Sequence, residues 1–265
     1  MGSSPTRRIA VRSNVEYAQA MRLVASGLND CAVERATGIP RGTIRGWRHG
    51  ETRERRTDAR KSCPHCGHPA HDFRALPIAS YAYLLGMYLG DGHISRYERA
   101  WRLRISMSLA WPGIIGECKE AMGRVFPDNR IAFCHEDPSS RCGVVSVYSR
   151  QLPCLFPQHG PGPKHRRRIE LVPWQRRLVS RAPEAFLRGL IHSDGSRFIN
   201  RVTIKGKTYS YPRYNFTSAS DDIRGLFTTT CDQLGISWRQ MNARNISVAR
   251  REAVTRLDEF VGPKS

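Results

Sequence analysis

The chain has 265 residues, with 43 Lys and Arg against 23 Asp and Glu, and a formal net charge of +20. Such a surplus selects a polyanionic partner, because each phosphate neutralised releases condensed counterions and the binding then weakens steeply with salt. No apolar run is long enough to span a bilayer, no secretory pattern is read, and eight cysteines spread over this length do not make a disulfide scaffold. The expectation is a cytoplasmic, bacterial, nucleoid-associated protein with no membrane partner and reduced thiols.

In chain order, apolar residues Tyr17, Met21, Leu23 and Val24 recur at helical spacing and predict a first helix from Val15 to a stop at Gly27. A second helix is predicted over Asp30–Thr37, ended by Gly38, and a third over Arg41–Trp47 after Gly38-Ile39-Pro40. Leu28–Trp47 resembles the helix-turn-helix units of resolvases and regulators. Ile39, Ile44 and Trp47 would form the core of such a unit, and Arg41, Thr43, Arg45 and Arg48 would face the groove. The predicted boundaries are 1–60 for this all-α domain and its charged linker, 61–75 for a cysteine knuckle, and 76–265 for the remainder.

The knuckle is Cys63-Pro64-His65-Cys66-Gly67-His68, followed by His71. Cys-x-x-Cys with a turn glycine aims two thiolates at one ion, and histidines complete a tetrahedron. The candidate structural Zn²⁺ ligands are Cys63, Cys66, His68 and His71, with His65 as the alternative to a cramped histidine pair. Reduced thiols in a linker are the competing reading.

Beyond Leu76 the sequence repeats itself. Leu84-Leu85-Gly86-Met87-Tyr88-Leu89-Gly90-Asp91-Gly92 aligns with Leu187-Arg188-Gly189-Leu190-Ile191-His192-Ser193-Asp194-Gly195. Each is an apolar helix with small residues four apart, a spacing that puts them on one face and lets two backbones approach. Gly92 and Gly195 are expected as left-handed caps. Each aspartate stands in the last turn, facing the negative end of its helix dipole. Two such ends packed together would repel, and a divalent cation with hard oxygen ligands would remove both penalties. Gly-Pro-Lys closes both repeats, with 73 positions from Asp91 to Lys164 and 70 from Asp194 to Lys264. Strand alternation is read in Trp101–Leu109 and in Arg201–Lys207, each with an apolar face and a cationic face.

These motifs resemble the LAGLIDADG homing endonucleases in their single-chain, two-repeat form, over about Leu76–Ser265, with repeats at 76–180 and 181–265. The resemblance implies an α+β fold: a pseudo-symmetric pair of αββαββα repeats forming an antiparallel saddle, here preceded by the small helix-turn-helix domain. It implies a monomer with internal pseudo-two-fold symmetry whose partner is double-stranded DNA. Asp91 and Asp194, with backbone oxygens of Gly90 and Ser193, would hold Mg²⁺ or Mn²⁺ for phosphodiester hydrolysis. Lys164 and Lys264 would stand beside the scissile phosphates, and His192 would pack rather than act as a base. Arg102, Arg104, Arg197, Arg201, Lys205, Lys207 and Arg213 form the expected DNA-facing set of the strands. The added helix-turn-helix keeps a second reading in view, a LAGLIDADG-derived transcription regulator that binds without cutting.

Overall fold

The computed structural model describes residues 12–49, 63, 66–67, 71–135, 140–262 and 264. The chain divides into two compact units, Met1–Ala70 and His71–Ser265.

In the first unit, α1 (Asn14–Ala25), α2 (Asp30–Thr37) and α3 (Arg41–Arg48) each start and stop on local chemistry. Ser13 and Glu16 form a capping box: the Ser13 N–H donates to the Glu16 carboxylate (2.7 Å) and the Glu16 N–H to Ser13 Oγ (3.2 Å). Asn29 accepts from Ala32 N–H at the start of α2, and Gly38 ends it in the left-handed region (φ +67°). Ala20, Val33, Ile39, Ile44 and Trp47 are buried together, with Tyr17 edge-on to Trp47. Arg41, Arg45 and Arg48 stay exposed and Thr43 half-exposed.

The second unit contains the same chain path twice. The first pass runs α4 (Ile78–Asp91), β1 (Gly92–Tyr97), β2 (Ala100–Ser108), α5 (Pro112–Val125), β3 (Ala132–His135), β4 (Cys142–Ser149) and the short α6 (Leu152–Leu155). After α7 (Pro173–Arg181), the second pass runs α8 (Pro183–Asp194), β5 (Gly195–Ile204), β6 (Lys207–Thr217), α9 (Asp221–Gln233), β7 (Arg239–Gln240), β8 (Asn245–Val248) and α10 (Arg251–Val261). Both sheets are antiparallel and have the same strand order, β1-β2-β4-β3 and β5-β6-β8-β7. This is the αββαββα duplication expected from the motifs. Among the described residues no helix is long and apolar enough to cross a membrane.

The two halves meet along α4 and α8, and the small residues explain how closely. A Cβ on Gly86 would lie 2.5 Å from the Phe186 carbonyl oxygen and 2.8 Å from Leu190 N. A Cβ on Gly189 would collide with the Tyr83 carbonyl oxygen and stand 3.1 Å from Gly86 Cα. Around this seam Leu84, Leu85, Met87, Leu187 and Leu190 are fully buried, so van der Waals contact and apolar burial hold the halves together.

Two expectations are corrected here. Gly92 (φ −84°, ψ 147°) and Gly195 (φ −101°, ψ 166°) are extended, not left-handed. Each helix turns directly into a strand, and a Cβ there would strike the preceding turn, 2.5 Å from Tyr88 Cα or 2.7 Å from Ile191 Cα. Glycine is needed for space, not for its positive-φ freedom. The strand expected over Arg201–Lys207 is in fact interrupted by the hairpin turn at Lys205 (φ +50°) and Gly206 (φ +77°), which joins β5 to β6.

The seam gives a direct test. Gly189→Ala should destabilise by about 2–3 kcal/mol in a urea melt, because the added methyl meets backbone on the facing helix. Gly116→Ala in α5, where a Cβ meets nothing within 4 Å, should be neutral or stabilising by about 0.5–1 kcal/mol.

Candidate active site at the helix seam

Where α4 and α8 end, Gly90 faces Ser193: a Cβ on Gly90 would lie 2.5 Å from Ser193 Cβ and 3.1 Å from Asp194 Oδ2. The close packing of the seam therefore delivers Asp91 and Asp194 to one place. Partial desolvation raises the proton affinity of both carboxyls, and the two flanking lysines oppose it. Asp194, the less exposed of the two, is pushed up to about 6 by desolvation and by the charge of Asp91. The repulsion anticipated for two helix-terminal carboxylates is present in the fold.

The two Gly-Pro-Lys segments bring their lysines to the same point. Gly162 (φ +74°) and Gly262 (φ +70°) both take a positive φ that favours glycine. Lys164 Nζ donates to the Gly90 carbonyl (2.6 Å), and Lys264 Nζ to the carbonyls of Gly195 (2.5 Å) and His192 (3.1 Å). Burial pulls Lys164 down to about 8, against the stabilising charges of Asp194 and Asp91, and burial lowers Lys264 as well. Four ionisable groups thus share a site in which none has its ordinary solvation. The Ser193 hydroxyl turns back onto its own helix, donating to Gly189 O or Leu190 O (3.0 Å each).

Several positioning residues were not visible in the sequence. Arg167 clamps the loop before Lys164, donating to the carbonyls of Gln158, Gly160 and Gly162 (3.2, 2.9 and 2.5 Å). That loop is fastened to α4 by a buried network. Gln158 donates to Gln175 (2.5 Å), Gln175 to the Tyr81 hydroxyl (2.8 Å), and Tyr81 to the Leu155 carbonyl (2.6 Å). In the second half His192 does comparable work. Its Nε2 lies 3.1 Å from the Val261 carbonyl, which can only accept, so Nε2 carries the proton and Nδ1 accepts from the Tyr83 hydroxyl (3.0 Å). Burial lowers its pKa to about 4. It ties the end of α10, three residues before Lys264, to α8. In the first repeat the aligned residue is Leu89.

The expected strand residues divide by face. Arg102 and Arg104 share the face of β2 opposite to buried Leu103, Ile105 and Met107. Arg102 reaches Ser146 Oγ (3.3 Å) and lies over the Tyr148 ring. In the second sheet Lys207 and Arg213 take the corresponding face. Arg197 and Arg201 do not; they lie on the side of buried Tyr214 and Phe216, paired across the strands with Tyr214 and Ser210. Arg197 is held there bidentately by Asp258 of α10 (2.7 and 2.8 Å). Lys205 sits in the hairpin turn.

The cysteine pair closes the first unit in a knuckle-like turn. The N–H of Gly67 (φ +71°) donates to the Cys63 carbonyl (2.8 Å), and Cys66 is buried. His65 and His68 lie outside the described residues. His71 opens the second unit, stacked on Phe73, which in turn stacks on Trp174.

A carboxyl that binds its proton more tightly folded than unfolded costs stability above its folded pKa and nothing below its unfolded one. In metal-free buffer at pH 8, Asp194→Asn should therefore stabilise the protein by about 1–2 kcal/mol after allowance for solvent screening. The gain should fade as pH falls from 6 to 4, and paired thermal melts at pH 8 and 4.5 measure it.

No protein-family model and no curated protein matches the sequence. Among solved structures, the chain is similar to the homing endonuclease I-DmoI in complex with DNA and Mn, at 15% identity over 70% of this chain and 98% of that one, with a TM-score of 0.47. It is similar to the LAGLIDADG meganuclease I-AabMI bound to uncleaved DNA, at 9% identity over 68% and 83% of the two chains, with a TM-score of 0.43. It is also similar to the N-terminal LAGLIDADG domain of DUF199/WhiA, at 12% identity over 73% and 88%, with a TM-score of 0.42. These are likenesses of fold, and the functional reading rests on this chain's own residues.

Proposed function

We propose that this protein binds duplex DNA and hydrolyses a phosphodiester bond in each strand, with Mg²⁺ or Mn²⁺ held by Asp91 and Asp194. The observation that carries the proposal is the pair of incompletely compensated carboxyls at the end of the seam, flanked by two lysines of lowered proton affinity. The donor set fits a hard divalent ion: two carboxylates and the Gly90 carbonyl, an oxygen already engaged by a cationic group, the Lys164 ammonium. When bound, such an ion lowers the pKa of water and neutralises charge at the phosphate.

The chain's own part is positional and electrostatic. Asp91 and Asp194, each supplied by one repeat, would hold the metal and orient the scissile phosphates of the two strands. Lys164 and Lys264 would place positive charge beside the developing oxyanion. With its pKa near 8, Lys164 Nζ can also yield or take a proton close to neutrality. The net charge of +20 supplies attraction to the backbone, and the strand face bearing Arg102, Arg104, Lys207 and Arg213 offers groups for groove and phosphate. In the first unit, α3 with Arg41, Thr43, Arg45 and Arg48 would dock on DNA as a helix-turn-helix. That feature favours the second reading, a regulator that binds without cutting.

Duplex selected from a random pool by binding separates the two. With Mg²⁺, the nuclease converts a plasmid carrying that site to linear product, and Asp91→Asn or Asp194→Asn abolishes the product while binding persists. Binding without product in both Mg²⁺ and Mn²⁺ establishes the regulator. Protonated Asp194 cannot act as an ionised ligand, so the apparent metal affinity should fall about tenfold per pH unit below about 6.

We further propose that Cys63 and Cys66, completed by His68 and His71, bind one structural Zn²⁺, a reading supported by the turn that joins the cysteines. The purified protein should carry one zinc per chain, lost in Cys63→Ser and Cys66→Ser. A serine series over the eight cysteines would show whether another thiolate takes the place of a histidine. Zinc-free wild-type protein overturns this assignment.

A further inference from the structure

On the β5–β6 hairpin, the face that bears Lys207 and Arg213 also carries apolar side chains that the chemistry above does not use. Its strands pair in unbroken register from Gly195↔Phe216 to Ile204↔Lys207, while β8 pairs only with Tyr214–Thr217 of β6. Residues 198–213 therefore run on as a two-stranded ribbon beyond the rest of the sheet.

The period-2 alternation of a strand assigns its faces. Tyr214 and Phe216 mark the core side. The opposite side carries Phe198, Val202 and Ile204 from β5, cross-paired with Arg213, Tyr209 and Lys207 of β6; Tyr211, opposite Asn200, completes the row. Phe198 is 41% exposed, Val202 39%, Ile204 56% and Tyr211 50%. The Tyr209 and Tyr211 rings lie nearly parallel, 9° apart, with centroids at 6.3 Å, and Lys207 Nζ lies 5.5 Å from the Tyr209 ring centre.

The corresponding face of the first sheet has a different chemistry. There His93 pairs with Arg104, and Ser95 with Arg102, alongside Ser106 and Ser108; Tyr97 (54% exposed) and Tyr148 (38%) lie on the same face with ring centroids 5.3 Å apart. The first sheet's face is mainly guanidinium and hydroxyl donors with one tyrosine pair, the second's mainly an apolar and aromatic row edged by Lys207 and Arg213.

Apolar side chains cannot hydrogen-bond a base edge. The major groove offers them one apolar group, the C5-methyl of thymine, whereas guanidinium groups match guanine O6 and N7. We propose that the β5–β6 ribbon reads thymine methyl groups through Phe198, Val202, Ile204, Tyr209 and Tyr211. The two halves of the target would then differ in kind, with a thymine-rich half under the second repeat and a guanine-bearing half under the first. This inference rests on the duplex-binding reading above. The cations edging the row favour a polyanionic occupant over a second copy of this chain.

Selection from a random duplex pool should return asymmetric sites with thymine enriched in one half. Repeating it with Val202→Ser should lower that enrichment at the position Val202 contacts and leave the other half unchanged, whereas Arg102→Ala should relax guanine preference in the other half. Replacing thymine by uracil in the enriched half removes only the methyl groups. Affinity should drop about fourfold per contacted methyl, and the same replacement in the other half should leave it unchanged.

Equal affinity for thymine and uracil duplexes, or selected sites lacking thymine in either half, overturns the proposal. So does a monomer–dimer equilibrium in sedimentation that Val202→Ser shifts toward monomer, because the row would then be a contact between copies. If no duplex is recovered at any salt concentration, the DNA reading itself has failed, which is a different outcome from indifference to the methyl group.

Discussion

Everything at the active-site end depends on one close approach, that of Gly86 and Gly189 across the helix seam. Without side chains there, α4 and α8 lie near enough for each to meet the other's backbone. The aspartates inherit their proximity from that contact, since each is the last residue of one of these helices. Two carboxylates this near are unfavourable, and the apolar burial along the seam offsets the cost. The site is therefore held under electrostatic tension by a core that is indifferent to charge. A constellation built on rigid helices in this way keeps its geometry better than one built on loops.

The supporting structure differs between the halves. In the first, Arg167 and the Tyr81–Gln158–Gln175 network fix the segment leading to Lys164. In the second, His192 and Tyr83 pin the end of the last helix, from which Lys264 is reached within three residues. The same chain path and equivalent lysines are therefore held by unrelated contacts, and the one that supports the second half borrows Tyr83 from the first.

The helices, the duplication and the convergence of Asp91 with Asp194 were legible because each has a local signature: 3.6-residue periodicity, a cap, or a repeated string of motif residues. The glycines were recognised but two were misread. Gly92 and Gly195 look like helix caps locally, and only the strand that follows shows that the space they leave is what matters. The cationic alternation around Arg201 was misjudged because a strand pattern does not say which face meets a core, and Gly206 turned the chain inside the expected strand. Arg197 looked like its neighbours until Asp258, 61 residues away, was folded against it. His192 was legible as a packing residue, but its partners Tyr83 and Val261, 109 and 69 residues away, were not; Arg167 carried no motif, and its role depends on how the loop just before it folds back.

The seam also decides which halves can pair. Arg188 of the second helix meets Glu117 of the first repeat at 2.7 Å, and the position aligned with Arg188 in the first helix is Leu85. Two copies of the first repeat would set Glu117 against a leucine, and two copies of the second would leave Arg188 without its carboxylate. Either mismatch strands a partly buried charge. Separated halves of this chain would thus prefer one another to themselves. The Arg188–Glu117 pair marks the seam as a contact between unlike halves.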